Sequence, residues 1–284
     1  MKRIYSALWC LSLLLFQTES NSEAYQIAGM YTQHYRDGTY AEWGKYSRIG
    51  AKLAIEYINK SSLIWPDTIE MHPENIIDYH CSSENVDLMV KSLMEKDIIA
   101  ITGAECSNPA VVMANSGSQF KVPVISYGAN AAELSSTLVY PWFVRVVSPS
   151  ETYEKYLIDL AAFFNIRKIA FIHTTDAWGR GAARVIDEAA KKFDIEVLKT
   201  FSFSRDSSQV EIDKILEIIK TNNIKHIFLT APTPDTVKFF RSVNTSDLNK
   251  KGYSFYASEL ILRDTPNDAI SGAVGYFAPI ASLS

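Results

Sequence analysis

Short apolar runs alternate along this chain with longer stretches whose apolar residues recur at helical spacing. The pattern predicts a strand over Gln26 to Met30, a helix over Gly44 to Lys60, a strand over Ile76 to His80 and a helix over Asn85 to Glu95. A strand over Ile98 to Thr102, a helix over Pro109 to Phe120 and a strand over Val122 to Tyr127 follow. Ile49, Leu53 and Tyr57 mark one face of the first helix, and Val86, Met89 and Leu93 one face of the second. A second series opens with a strand over Val144 to Val147. Helices over Glu151 to Phe164, Trp178 to Phe193, Gln209 to Asn222 and Thr233 to Asn244 then alternate with strands over Lys168 to His173, Glu196 to Phe203, His226 to Thr230 and Tyr253 to Ala257.

Strands that alternate with helices pair in parallel, because each helix carries the chain back to the edge where its strand began. The expectation is an α/β protein of two doubly wound parallel-sheet lobes: lobe I over residues 23–143 and lobe II over 144–272. Ligands of such sheets bind outside the carboxyl ends of the strands. The loop Gly103-Ala104-Glu105-Cys106-Ser107-Asn108-Pro109 lies at such an end. With Asn108 as N-cap and Pro109 opening the helix, it would aim free N–H groups and the Ser107 hydroxyl at a small anion such as a carboxylate. A capped helix without any ligand is the plainer alternative.

A 284-residue chain with 47% hydrophobic residues can bury a large core. A net charge of -4 without long charge runs leaves no footprint for nucleic acid or an anionic membrane surface. Lys2 and Arg3 before an apolar segment from Ile4 to Phe16 and a polar stretch from Gln17 read as a signal peptide over residues 1–22. The protein is therefore expected to be exported: periplasmic in a Gram-negative organism, extracellular otherwise. Removal of the leader leaves Cys81 and Cys106 to pair in an oxidising compartment, or to stay as free thiols. The five histidines and the cysteines lack zinc-type spacing, so no metal or cofactor is expected. Gly179-Arg180-Gly181 has Arg184 where a dinucleotide fingerprint needs its third glycine. No nucleophile and base can be named, so an enzyme is not expected. Asn59-Lys60-Ser61 and Asn244-Thr245-Ser246 are glycosylation sequons.

Several segments in order carry a resemblance: Ala41-Glu42-Trp43-Gly44, the Gly103 to Ser107 loop, Val122-Pro123-Val124-Ile125-Ser126 with Gly128 to Leu134, Phe143-Val144-Arg145, and Ile172-His173 with Trp178 to Gly181. The chain resembles the type I periplasmic binding proteins, nearest the leucine/isoleucine/valine-binding group, whose fold is shared by the ectodomains of class C and natriuretic-peptide-type receptors. The resemblance implies three passages between the lobes, so that residues 273–284 would be a return crossover into lobe I that is incomplete: a C-terminal truncation, or a first lobe whose open edge a partner covers. It also implies a Cys81–Cys106 disulfide and a cleft site. In it Ser107 binds a ligand carboxylate and Ala129 and Asn130 form the next loop, with Asn130 a departure from the usual threonine. Trp178 stands where tyrosine is common, Glu259 pairs with an α-ammonium, and Trp43 covers the ligand from lobe I. The function implied is an exported solute-binding protein that closes on an amino-acid-like ligand and delivers it to an ABC permease. The alternative is the ligand-sensing domain of a membrane receptor.

Overall fold

The computed structural model describes residues 22–257, apart from 62, 247 and 249–251, together with the backbone of 276–277. Among the described residues, two parallel sheets account for all the strands. The first contains β1 (Ala24–Tyr31), β2 (Thr68–Glu70), β3 (Ile76–Asp78), β4 (Ala100–Gly103), β5 (Val124–Ser126) and β6 (Phe143–Arg145). The second contains β7 (Lys168–Thr174), β8 (Glu196–Phe203), β9 (His226–Thr230), β10 (Ser254–Ala257) and β11 (Tyr276–Phe277). Seven α-helices alternate with them among the described residues: α1 (Glu42–Lys60), α2 (Val86–Met94), α3 (Ser107–Phe120), α4 (Ser150–Phe163), α5 (Ala177–Lys192), α6 (Gln209–Thr221) and α7 (Thr233–Thr245).

The first sheet runs β2-β1-β4-β5-β6, and β3 pairs with the second half of β1 just as β2 pairs with its first half. The second runs β11-β10-β9-β7-β8. Two differences from the sequence reading follow. Phe143–Arg145 pairs with Val124–Ser126, so the strand expected to open lobe II closes the first sheet. Tyr276–Phe277 pairs with Phe255–Tyr256, so at that point the chain is still an edge strand of the second sheet and not yet in lobe I. Thr68–Glu70 was not foreseen as a strand; three residues are too few for a period to show.

Each lobe has its own core. Met30, Ile101, Val124, Leu93 and Met113 pack between the first sheet and α2 and α3. On one side of the second sheet Phe239, Phe240 and Phe255 are in mutual edge-to-face contact among aliphatic residues such as Ile212, Leu216 and Leu229. The opposite face of the first sheet is less covered. Ile125, Val144 and Val146 are exposed there, and along α1 so are Tyr46, Ile49, Leu53 and Tyr57, whose helical spacing gave that helix its apolar face. Gly44 alone in α1 is buried. No helix among the described residues is long and apolar enough to cross a membrane.

Candidate functional site

The loops at the carboxyl ends of both sheets face each other, and the described candidate residues lie in them or in the first turns of the helices that follow. After β4 the chain turns sharply. Gly103 has φ +128°, and a Cβ there would stand 1.8 Å from the Met30 carbonyl oxygen, so only glycine fits; Ala104 follows at φ +61°. Helix α3 then begins at Ser107, two residues earlier than Pro109, with Cys106 as its N-cap residue and no side-chain cap. The reason lies across the cleft. The Asn108 side chain, expected to cap its own helix, accepts the Ala177 N–H of lobe II at 2.7 Å and so supplies an acceptor to the start of α5.

The anion site foreseen in this loop is partly occupied by the protein itself. The N–H groups of Glu105 and Cys106 both donate to the Tyr79 hydroxyl, at 3.1 and 3.2 Å. Buried Ser107 accepts the Ala131 N–H at 3.2 Å through its hydroxyl, which remains a donor to a further partner. Ala129 is buried, its N–H donating to Ser126 Oγ at 2.9 Å. Asn130 is half-buried, and its carbonyl accepts the Ser150 N–H at 2.8 Å where the chain passes into lobe II. Arg145 holds this loop by donating to the Ala129 and Ala131 carbonyls at 3.3 and 2.9 Å.

Trp178 lies in the first turn of α5 and is 6% exposed, with its indole N–H lacking an acceptor among the described residues. A buried donor without a partner carries a desolvation penalty that a ligand oxygen would relieve. Asp176 caps the same helix, accepting the Gly179 N–H at 2.8 Å. Trp43 is half-buried and donates through Nε1 to the Tyr35 hydroxyl at 3.1 Å. Ser107, Ala129, Asn130 and Trp178 thus gather around the Asn108–Ala177 contact, whereas Trp43 sits with Tyr35 after β1. Glu259 lies outside the described residues.

Cys81 and Cys106 form a disulfide with Cα atoms 5.6 Å apart. Their strands are not neighbours, because β1 lies between β3 and β4. The bridge spans the end of β1, where Thr32 Oγ1 accepts the Cys81 N–H at 3.2 Å.

Sequence reasoning gave no role to the buried acids. Glu105 accepts the Thr32 N–H, and burial raises its carboxyl above the usual range. Asp235, in the first turn of α7, has one oxygen without a donor, and burial pushes it up to about 6 against the pull of the Arg205 charge. Glu154 of α4 is fully buried, accepts from Thr230 Oγ1 at 3.2 Å and is pushed up to about 8 by burial. The signal for Asp235 was available: it is a carboxylate five residues past the end of an apolar strand, at the edge where ligands bind. Among the described residues no three metal-ligating side chains cluster. A groove of about 810 Å³ does open in lobe II, lined by Arg167, Lys168, Lys225 and His226. It lies at the amino ends of the strands, away from these loops, and Arg167 and Lys168 are already engaged with Phe193 O and Glu196. The carboxyl edges, where ligands of such sheets bind, are therefore the candidate site.

Two doubly wound lobes joined by a crossover, with polar loops meeting between them, define a two-lobed ligand-binding domain. The comparisons make this specific. Residues 47–280 match the receptor family ligand binding region, and the chain belongs to that family, with its type I periplasmic-binding-protein-like fold. It is 25% identical over 217 residues to glutamate receptor 3.1 of Oryza sativa subsp. japonica, covering 76% of this chain and 23% of that protein. It is 24% identical over 182 residues to metabotropic glutamate receptor 4 of Rattus norvegicus, covering 63% and 19%. The extracellular calcium-sensing receptor of Homo sapiens is 23% identical over 182 residues, covering 63% and 17%. The chain thus spans about a fifth of the length of these relatives.

Proposed function

We propose that this chain is the extracellular ligand-sensing region of a membrane receptor, which closes its two lobes on a small amino-acid-like ligand. The observation that carries this is the match of both lobes, over residues 47–280, to a receptor ligand-binding region. The glutamate receptors among its relatives support an amino-acid-like ligand. Ser107 would donate to the ligand carboxylate, and the unpartnered Trp178 N–H would add a second donor from the other lobe. Ala129 and Asn130 would form the wall of lobe I and Trp43 its cover, with the α-ammonium assigned to Glu259. Delivery to an ABC permease, the leading expectation from sequence, is the second reading; the matched receptors favour sensing.

Mechanistically, a ligand held by both lobes stabilises only the closed arrangement, so its binding is a population shift. A thermal-shift screen of the exported protein against the twenty amino acids tests this, repeated with Ser107→Ala and Glu259→Ala. A stabilising amino acid whose effect disappears in both variants is the expected result. A folded protein that no amino acid stabilises refutes the ligand class.

A further inference from the structure

We propose that Arg205 is a ligand-independent latch that holds the two lobes together at the side of the cleft farthest from the crossover. Its guanidinium carbon lies 4.1 Å from the centroid of the Tyr35 ring, and its Nη2 is 3.5 Å from Asp37 Oδ2. Arg205 belongs to the turn after β8 in lobe II; Tyr35 and Asp37 belong to the loop after β1 in lobe I.

Each half is held in place by its own lobe. In lobe I, Trp43 Nε1 donates to the Tyr35 hydroxyl and packs at a ring distance of 6.2 Å. The Asp37 carboxylate accepts the Thr39 N–H at 2.9 Å, and the Thr39 bonds, followed by Arg205, keep it ionised below the usual carboxylate range. In lobe II, Lys238 donates to the carbonyls of Arg205 and Ser207, and Ser204 N–H donates to Ser207 Oγ at 3.1 Å. A planar cation stacked on a ring and paired with a carboxylate suits arginine better than lysine.

Position in the sheet shows why this contact, and not another, reports closure. Polar contacts between the lobes among the described residues include Ser150 N–H to Asn130 O, Ala177 N–H to Asn108 Oδ1, and Arg205 to Tyr35 and Asp37, and Ala177 and Gly181 also pack against lobe I near Asn108 and Ala132. Asn130 follows β5, next to the crossover strand β6; Asn108 follows β4, two strands away; Tyr35 follows β1, three strands away. At ~4.8 Å per strand, the latch has the longest lever arm, roughly 14 Å, so opening separates it first.

The inference rests on the two-lobe arrangement and not on the ligand, and its test adds none. Small-angle scattering of the full exported chain reads the open fraction for the wild type, Arg205→Ala, Arg205→Lys, Tyr35→Ala and the double variant. Arg205→Ala should lower the closed-to-open ratio roughly 3- to 30-fold and increase the radius of gyration. Arg205→Lys should fall between, and Tyr35→Ala should add nothing to Arg205→Ala. Arg205 lies in a partly exposed turn, so if Tyr35→Ala fails to fold, the two arginine variants decide alone. Unchanged scattering in a folded Arg205→Ala protein overturns the latch, as does a full second increment from Tyr35→Ala. Thermal-shift results with amino acids leave either outcome intact, so a failed latch and a failed ligand reading remain distinguishable.

Discussion

Glu154 makes folding stability depend on pH, and the dependence can be removed by one substitution. The carboxyl is fully buried in α4, accepts one hydrogen bond from Thr230, and holds its proton to about pH 8. In the unfolded chain the same group ionises near the ordinary glutamate value of 4.5. Because the folded value is raised for an acid, its favourable contribution is complete below about pH 4.5. It is lost progressively as pH rises, until the folded group ionises near 8. With the carboxyl fully buried, that loss is on the order of 4 kcal/mol by pH 8. Glu154→Gln keeps an oxygen for the Thr230 hydroxyl and cannot ionise. The variant should therefore match the wild type at pH 4.5 and exceed it by about 2–4 kcal/mol at pH 8.5. Urea unfolding followed by tryptophan fluorescence at pH 4.5, 6.5 and 8.5, with the disulfide intact, measures the difference. A difference that does not grow with pH would show that the Glu154 carboxyl is ionised or hydrated in the folded protein, and the argument from burial would fail.

Ser107→Ala should weaken binding of an amino-acid ligand ~10- to 100-fold, read by calorimetric titration, because a charge-assisted hydrogen bond is lost and the Ala131 N–H loses its acceptor. Gly179→Ala should destabilise the chain by about 3 kcal/mol, read as a lower Tm, since a Cβ there would stand 1.9 Å from the Thr174 carbonyl oxygen. Reduction of Cys81–Cys106, whose separation is 25 residues, should cost about 3.5 kcal/mol from the entropy regained by the unfolded chain, measured by unfolding with and without reductant.

The sequence revealed alternation, and alternation is enough for two parallel sheets. It placed the edges less well because the deciding contacts are not local. Phe143–Arg145 has the same apolar pattern whether it ends one sheet or begins another, and only its pairing with β5 separates the two. The disulfide shows the same limit. Cys81 and Cys106 each follow one of two successive predicted strands, yet the bridge crosses the end of β1, a relation that no spacing encodes. Asn108 looked like a helix cap and is one, but for a helix of the other lobe. Asp235, Glu154 and Arg205 drew no notice because isolated charged residues usually face solvent. Their distinction is burial or a partner far along the chain, and neither leaves a periodic trace.

The weakness of the latch fits a binding domain better than a strong one would. To move such a protein from one part closed in a hundred to ninety-nine parts closed, a ligand needs a differential affinity of about 5.5 kcal/mol. Two or three charge-assisted hydrogen bonds shared between lobes supply that, at roughly 1.5–3 kcal/mol each. The Arg205 contact is partly exposed to water on both sides, with side-chain exposures of 40% for Arg205 and 54% for Asp37, so it is weak. A buried ion pair at the same position would close the lobes without ligand, and binding would then shift nothing. A weak contact at the longest lever arm biases the empty lobes toward closure, and on the proposed reading a ligand between them would supply the rest of the shift.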